Sequence, residues 1–177
     1  WGAEVFGARV AAEWQHLKDG PNTLTEADFA HVRQFFTAPA YAAVDVAAAE
    51  ATVSVCAAAE RAFARWLERN VRAHRVPGYC AVVLSLKPVG VAPGDVTDAQ
   101  LDAIADLADR YAFGEARVTH HQNLVLADVR RDDLPELWRA LKAQGFATPT
   151  IGTLSDIICC PGGDFCSLAN AKSIPIA

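Results

Sequence analysis

Apolar residues along the chain recur first at helical and then at strand spacing. From Trp1 to Leu17, the positions Val5, Phe6, Arg9, Val10, Glu13, Trp14 and Leu17 fall on helical repeats, and "KDGPN" breaks the run. "TLTEADFAHVRQFF" restarts it, with Thr25 placed to cap, Asp28 three residues on, and Leu24 and Phe29 placed as a staple. "TAPAY" reads as a loop. The alanine-rich stretch Val44–Val71 is helical in its C-terminal half, whereas "ATVSV" within it has the β-branched content of a short strand.

The pattern changes at "HRVPGY". Tyr79–Lys87, "YCAVVLSLK", is a β-rich run bounded by Gly and Pro and predicts a strand. "PVGVAPGD" is a loop, and Thr97–Phe113 predicts a helix capped by Thr97, with Leu101, Ile104, Ala105, Leu107, Ala108 and Tyr111 on one face. Glu115–Val129 predicts two strands, or one bent strand, with "HHQN" at the bend. "RDDLPELWRALKAQGF" predicts a helix opened by acidic residues and Pro135 and ended at Gly145. The order strand, helix, strand, strand, helix, completed by one further strand, is the ferredoxin-like split β-α-β plan. The fold class is therefore α+β, in three stretches: a mostly helical region over 1–76, a ferredoxin-like half-domain over 77–150, and the beginning of a further unit over 151–177.

Composition narrows the function classes. The chain has 177 residues, 52% hydrophobic, with a formal net charge of -5. That balance argues against a general nucleic-acid or anionic-membrane binder, although a local basic site for a small anion is compatible with it. No apolar run reaches the roughly 18 residues that span a bilayer. Five cysteines at irregular spacing do not form a secreted disulfide framework and fit a reducing cytoplasm. Met is absent and the chain opens inside a helical pattern, so a fragment of a longer protein is expected.

The chemistry concentrates in Ser155–Ala177, "SDIICCPGGDFCSLANAKSIPIA". Cys160 and Cys166 form C-x5-C around a loop in which Pro161 fixes one backbone angle and Gly162 and Gly163 permit unusual ones. "SLANAKS" predicts a helix opened by Cys166, whose positive end would favour the thiolate that binds soft metals and iron–sulfur clusters. By itself the spacing leaves several readings open: a packed pair of small residues, two ligands of a zinc site or of a cluster that needs two more, or a cysteine loop mediating assembly. A redox disulfide would prefer C-x-x-C. Cys159 reads as a packing residue, Cys56 and Cys80 as core, Trp66 and Trp138 as packing, and Lys172 as exposed. Adjacent strand residues point to opposite faces, so His120 and His121 are not expected to share a metal.

"RVTHHQNLVLADV", a following helix with a Gly-Phe end, and then "CPGGDFCSLA" together resemble the siroheme-dependent sulfite and nitrite reductases, over roughly Pro77 to Ala177. The resemblance implies the second of two ferredoxin-like halves and, from 151 onward, the start of a siroheme and 4Fe–4S-binding domain. It implies that Cys160 and Cys166 are the first two cluster ligands, with a C-x3-C pair further downstream. It also implies that Arg117, Thr119, Gln122 and Asn123 face the central cofactor cavity. The implied activity is six-electron reduction of sulfite to sulfide, or of nitrite to ammonia, fed by ferredoxin or a flavoprotein. The alternative is a non-catalytic ferredoxin-like binding module whose cysteine loop holds zinc or is purely structural. Metal and acid-labile sulfide analysis separates the two.

Overall fold

The computed structural model describes residues 2–177, which divide into two compact units, 2–41 and 42–177. The first holds α1 (Ala3–Leu17) and α2 (Glu26–Arg33). The Thr25 hydroxyl accepts from the Asp28 N–H while the Asp28 carboxylate accepts from the Thr25 N–H, so the predicted cap is a reciprocal capping box.

The second unit is built on a four-stranded antiparallel sheet of order β1-β2-β4-β3, with β1 (Val71–Ala73), β2 (Tyr79–Leu84), β3 (Arg117–Val118) and β4 (Leu124–Arg130). Between β2 and β3 runs α5 (Asp98–Tyr111), and α6 (Leu134–Ala143) follows β4. Because β4 lies between β2 and β3, this is the split β-α-β plan. The further strand is β1, which precedes the motif and occupies the edge beside β2. The chain enters it directly from α4 (Arg61–Asn70).

Period-2 alternation explains the layering. Cys80, Val82 and Leu84 of β2 point to one face and are fully buried; Leu126 and Val129 of β4 pair with Val82 and Cys80 on that face, their odd spacing absorbed by a bulge in the β2–β4 pairing. The helices bring Phe63, Trp66, Ile104, Leu137, Trp138 and Leu141 against them in one core. Phe63 stacks on Trp66 and meets Trp138 edge-on, with centroids 5.8 and 5.4 Å apart, so both tryptophans pack as expected. Cys80 is core as expected, its thiol donating to the Val129 carbonyl at 3.4 Å, and burial pushes its pKa up to about 12. Cys56 is only partly buried at the margin of that core.

Two local expectations are corrected. "ATVSV" is not a strand but the middle of α3 (Val46–Ala59). Asp45 caps that helix through the Ala48 N–H, the surrounding alanines favour it, and the Thr52 hydroxyl is absorbed by the Ala48 carbonyl one turn back. On α5, capped by a Thr97–Gln100 box, the buried face runs through Ile104, Ala108 and Tyr111, while Leu101 and Ala105 are exposed. No helix among the described residues is long and apolar enough to cross a membrane.

Candidate functional site

The turn from β3 into β4 is closed by its own polar groups. The Thr119 hydroxyl accepts from the Asn123 N–H at 3.1 Å, and the Thr119 N–H donates to the Asn123 carbonyl at 2.9 Å. Closing so tight a turn puts Gln122 in the left-handed region, φ 56°, which non-glycine residues seldom adopt. The backbone at 120–122 is thus a turn, and His120 and His121 do not alternate across a sheet. Their rings lie 3.9 Å apart, centroid to centroid, which corrects the strand-based expectation of opposite faces.

From this turn two side chains reach the segment that carries the cysteines. The Gln122 amide donates to the Cys159 carbonyl at 2.7 Å and accepts from the Cys159 N–H at 2.8 Å. Asn123, 2% exposed, accepts from the Leu86 N–H at 3.1 Å and donates to the Asp156 carboxylate at 2.9 Å. Asp156 also receives the Lys87 ammonium at 2.7 Å and the Gly152 N–H at 2.9 Å. Burial works to raise the Asp156 pKa, but Lys87, the Gly152 N–H and Asn123 together outweigh it and hold the carboxyl below its ordinary value.

Lys87 and Asp156 are the residues that sequence reasoning missed. They lie 69 positions apart with no motif linking them, and the one local signal is a lysine at the end of an apolar strand.

Beyond this anchor lies the cysteine loop. Cys159 is buried, its thiol donating to the Cys160 carbonyl at 3.2 Å, while Cys160 is exposed and Cys166 half-buried; both are free thiols. Gly162–Asp164 form a short 3-10 turn in which the Gly162 carbonyl accepts from the Cys166 N–H at 2.9 Å, and the Gly163 N–H reaches across to the Ala171 carbonyl at 2.8 Å. Gly162 is obligatory here: its φ is +59°, and a Cβ would sit 2.8 Å from the Ala171 carbonyl oxygen. The expected helix after Cys166 is absent. The chain turns back at Ala169 and pairs with Gly163, so no helix end addresses the Cys166 sulfur. Lys172 is exposed as expected, in an ion pair with Asp164 at 3.1 Å.

Two cavities flank the β3–β4 turn. One, of about 400 Å³, is walled by Thr119, Gln122, Cys159, Pro161 and Phe165 together with the loop around Gly94. The other, of about 620 Å³, lies on the sheet face away from the helices and is lined by Arg72, Val83, Arg117, Val125, His120 and His121. Arg117 is more than half exposed and pairs with Glu115 and, at 3.9 Å, with Asp128. Thr119 and Asn123 contribute to both cavities, Arg117 to the second and Gln122 to the first. Among the described residues, no group of three or more His, Cys, Asp or Glu side chains converges on one point.

Residues 77–144, from the turn before β2 to the end of α6, match the family model described as the nitrite/sulfite reductase ferredoxin-like half domain. That segment is similar to the half domain of those reductases. The half domain is accompanied by similarity to whole reductases. The chain is 37% identical over 90 residues to a protein named sulfite reductase [ferredoxin] 2 from Mycolicibacterium paratuberculosis, covering 50% of this chain and 16% of that one. It is 33% identical over 76 residues to the chloroplastic ferredoxin–nitrite reductase of Oryza sativa (43% and 13% covered). It is also 33% identical over 81 residues to the assimilatory ferredoxin-dependent nitrite reductase of Haloferax mediterranei (46% and 14% covered). The match thus spans about one sixth of those relatives' length or less.

Proposed function

We propose that this chain is part of an assimilatory siroheme reductase that converts sulfite to sulfide, or nitrite to ammonia, by six-electron reduction. In this reading residues 77–150 are one ferredoxin-like half and residues 151–177 lead into the cluster-binding domain. The observation that carries it is the physical tie between the two motifs. The turn of the family-matched half domain holds the backbone immediately before C-x5-C through two hydrogen bonds from Gln122.

The donor set suits an iron–sulfur cluster. Cys160 and Cys166 are free, accessible thiols at the two ends of a loop braced by its own backbone, and thiolate is the ligand such clusters take. They would be two of four ligands, the others lying outside these residues. A cluster coupled to siroheme supplies electrons one at a time to a bound anion. The chain's own contributions are separate from that chemistry. Arg72 and Arg117 bring positive charge to the open sheet face, where carboxylates of an anionic macrocycle or an oxyanion would be attracted. Thr119 closes the turn beside that cavity, and Gln122 and Asn123 tie the turn to Cys159 and Asp156. Ferredoxin, or a flavoprotein, is the proposed electron donor, and the cytoplasm the proposed compartment.

Reduction of each anion by the complete protein, supplied anaerobically with reduced ferredoxin, tests the reading. Consumption of either anion with formation of sulfide or ammonia is expected, with sulfite the faster at matched concentration. Consumption of neither by cofactor-replete protein contradicts the proposal, and faster nitrite reduction reverses the choice of substrate.

A further inference from the structure

We infer that Gln122 is a positioning residue for the cysteine loop: its side-chain amide acts as a surrogate β-bridge that fixes the Cys159 backbone and so presents Cys160. Both hydrogen-bonding groups of Cys159 are taken by this one side chain, at 2.7 and 2.8 Å. The peptide groups on either side of the Cys159 Cα are therefore held, which sets where the Cα of Cys160 begins. Three residues upstream, Asp156 is held by Lys87, Asn123 and the Gly152 N–H. The segment Asp156–Cys159 is thereby fastened at both ends to the ends of β2 and β4.

The turn that carries Gln122 has a demanding local geometry. Gln122 keeps a left-handed backbone, φ 56°, which a residue carrying a Cβ seldom adopts. Gly94 sits against it with φ +90°, and a Cβ there would press to 3.1 Å on the Gln122 Cβ. A neutral amide also adds no charge beside the thiols, so it can hold the loop without biasing the charge state of whatever the loop binds.

The functional meaning of the bridge rests on the reading of Cys160 as a cluster ligand, so the test has one measurement on cofactor-free protein and one on loaded protein. Gln122→Met keeps the length of the side chain but removes both hydrogen bonds. In the complete protein prepared without cofactors, hydrogen exchange in peptides covering Ile158–Cys160 should accelerate on the order of tenfold or more. Exchange in peptides from β2 should not change. Gln122→Glu retains an acceptor for the Cys159 N–H and should restore protection at that amide. In loaded protein, Gln122→Met should shift the cluster midpoint potential and lower iron and acid-labile sulfide per chain. Wild-type exchange rates around Cys159 in Gln122→Met, or an unshifted potential at full iron content, would overturn the inference. Wild-type protein that takes up no iron or sulfide overturns the cluster reading instead, and the exchange comparison then still decides whether the bridge holds the loop.

Discussion

The Lys87–Asp156 pair is the clearest place to weigh one interaction. Lys87 is 6% exposed, and its ammonium donates to the Asp156 carboxylate at 2.7 Å and to the Asp156 carbonyl at 2.9 Å. Removing one partner of a buried pair costs about 3–5 kcal/mol, because the other charge is left without compensation. In Lys87→Met the Asp156 carboxylate keeps the Gly152 N–H and the Asn123 amide, and it is slightly open to solvent. The expected loss is therefore at the low end, about 3 kcal/mol. In Asp156→Ala the ammonium keeps only one backbone carbonyl, and Asn123 and Gly152 each lose an acceptor, so the loss should be larger, about 4–5 kcal/mol. The double variant should be less destabilised than the sum, with a coupling of about 2 kcal/mol.

The same pair makes a pH prediction. Asp156 has its pKa lowered in the folded state, so its contribution is fully present above the unfolded carboxylate value, about pH 4, and is lost as pH falls through the lower folded value. Lys87→Met takes away one cause of that depression, and its acid-induced loss of stability should begin at higher pH. Urea unfolding of the wild type, both single variants and the double variant, at neutral pH and at steps from about pH 4 downward, measures all of this. Single variants that each cost under about 1 kcal/mol, or costs that simply add, would refute the reasoning.

Other consequences are as direct. Cys80, with its pKa pushed to about 12 by burial, should resist alkylation at pH 8 until the chain unfolds, whereas exposed Cys160 in cofactor-free protein should be modified under native conditions; mass spectrometry of the alkylated peptides reads both. Gly162→Ala should cost about 2 kcal/mol or more in the loop, because left-handed strain adds to the collision with the Ala171 carbonyl, and bound iron per chain should fall. Asn70→Ala should destabilise the second unit by about 1–3 kcal/mol in urea, since the Asn70 amide ties the Val83 carbonyl at 2.9 Å to the Thr148 carbonyl at 3.2 Å.

What could be read in the sequence was what local pattern dictates. The strand at Tyr79, the helices at Asp98 and Leu134 and both capping boxes follow from spacing and end signals within a few residues. The misreadings came from features that compete with local preference. Alanine context and a capping Asp45 carried the β-branched "ATVSV" into a helix. After Cys166, a helix-compatible composition lost to a backbone pairing between Gly163 and Ala171 that no periodicity announces.

The candidate site was legible as residue types and not as roles. Gln122 and Asn123 line cavities beside the turn, and their side-chain amides are bonded to Cys159 and Asp156, partners more than 30 positions away that no local pattern links to them. Lys87 and Asp156 were not singled out, because two charged residues 69 positions apart pair only once the fold brings them together.

The central claim is that Cys160 and Cys166 are ligands of an iron–sulfur cluster. Iron, zinc and acid-labile sulfide measured on the anaerobically isolated complete protein, beside its Cys160→Ser and Cys166→Ser variants, test it most directly. Iron and sulfide in near-equal amounts are expected in the wild type, with each variant losing most of both. Zinc without sulfide, or variants that keep a full complement of iron and sulfide, would contradict it.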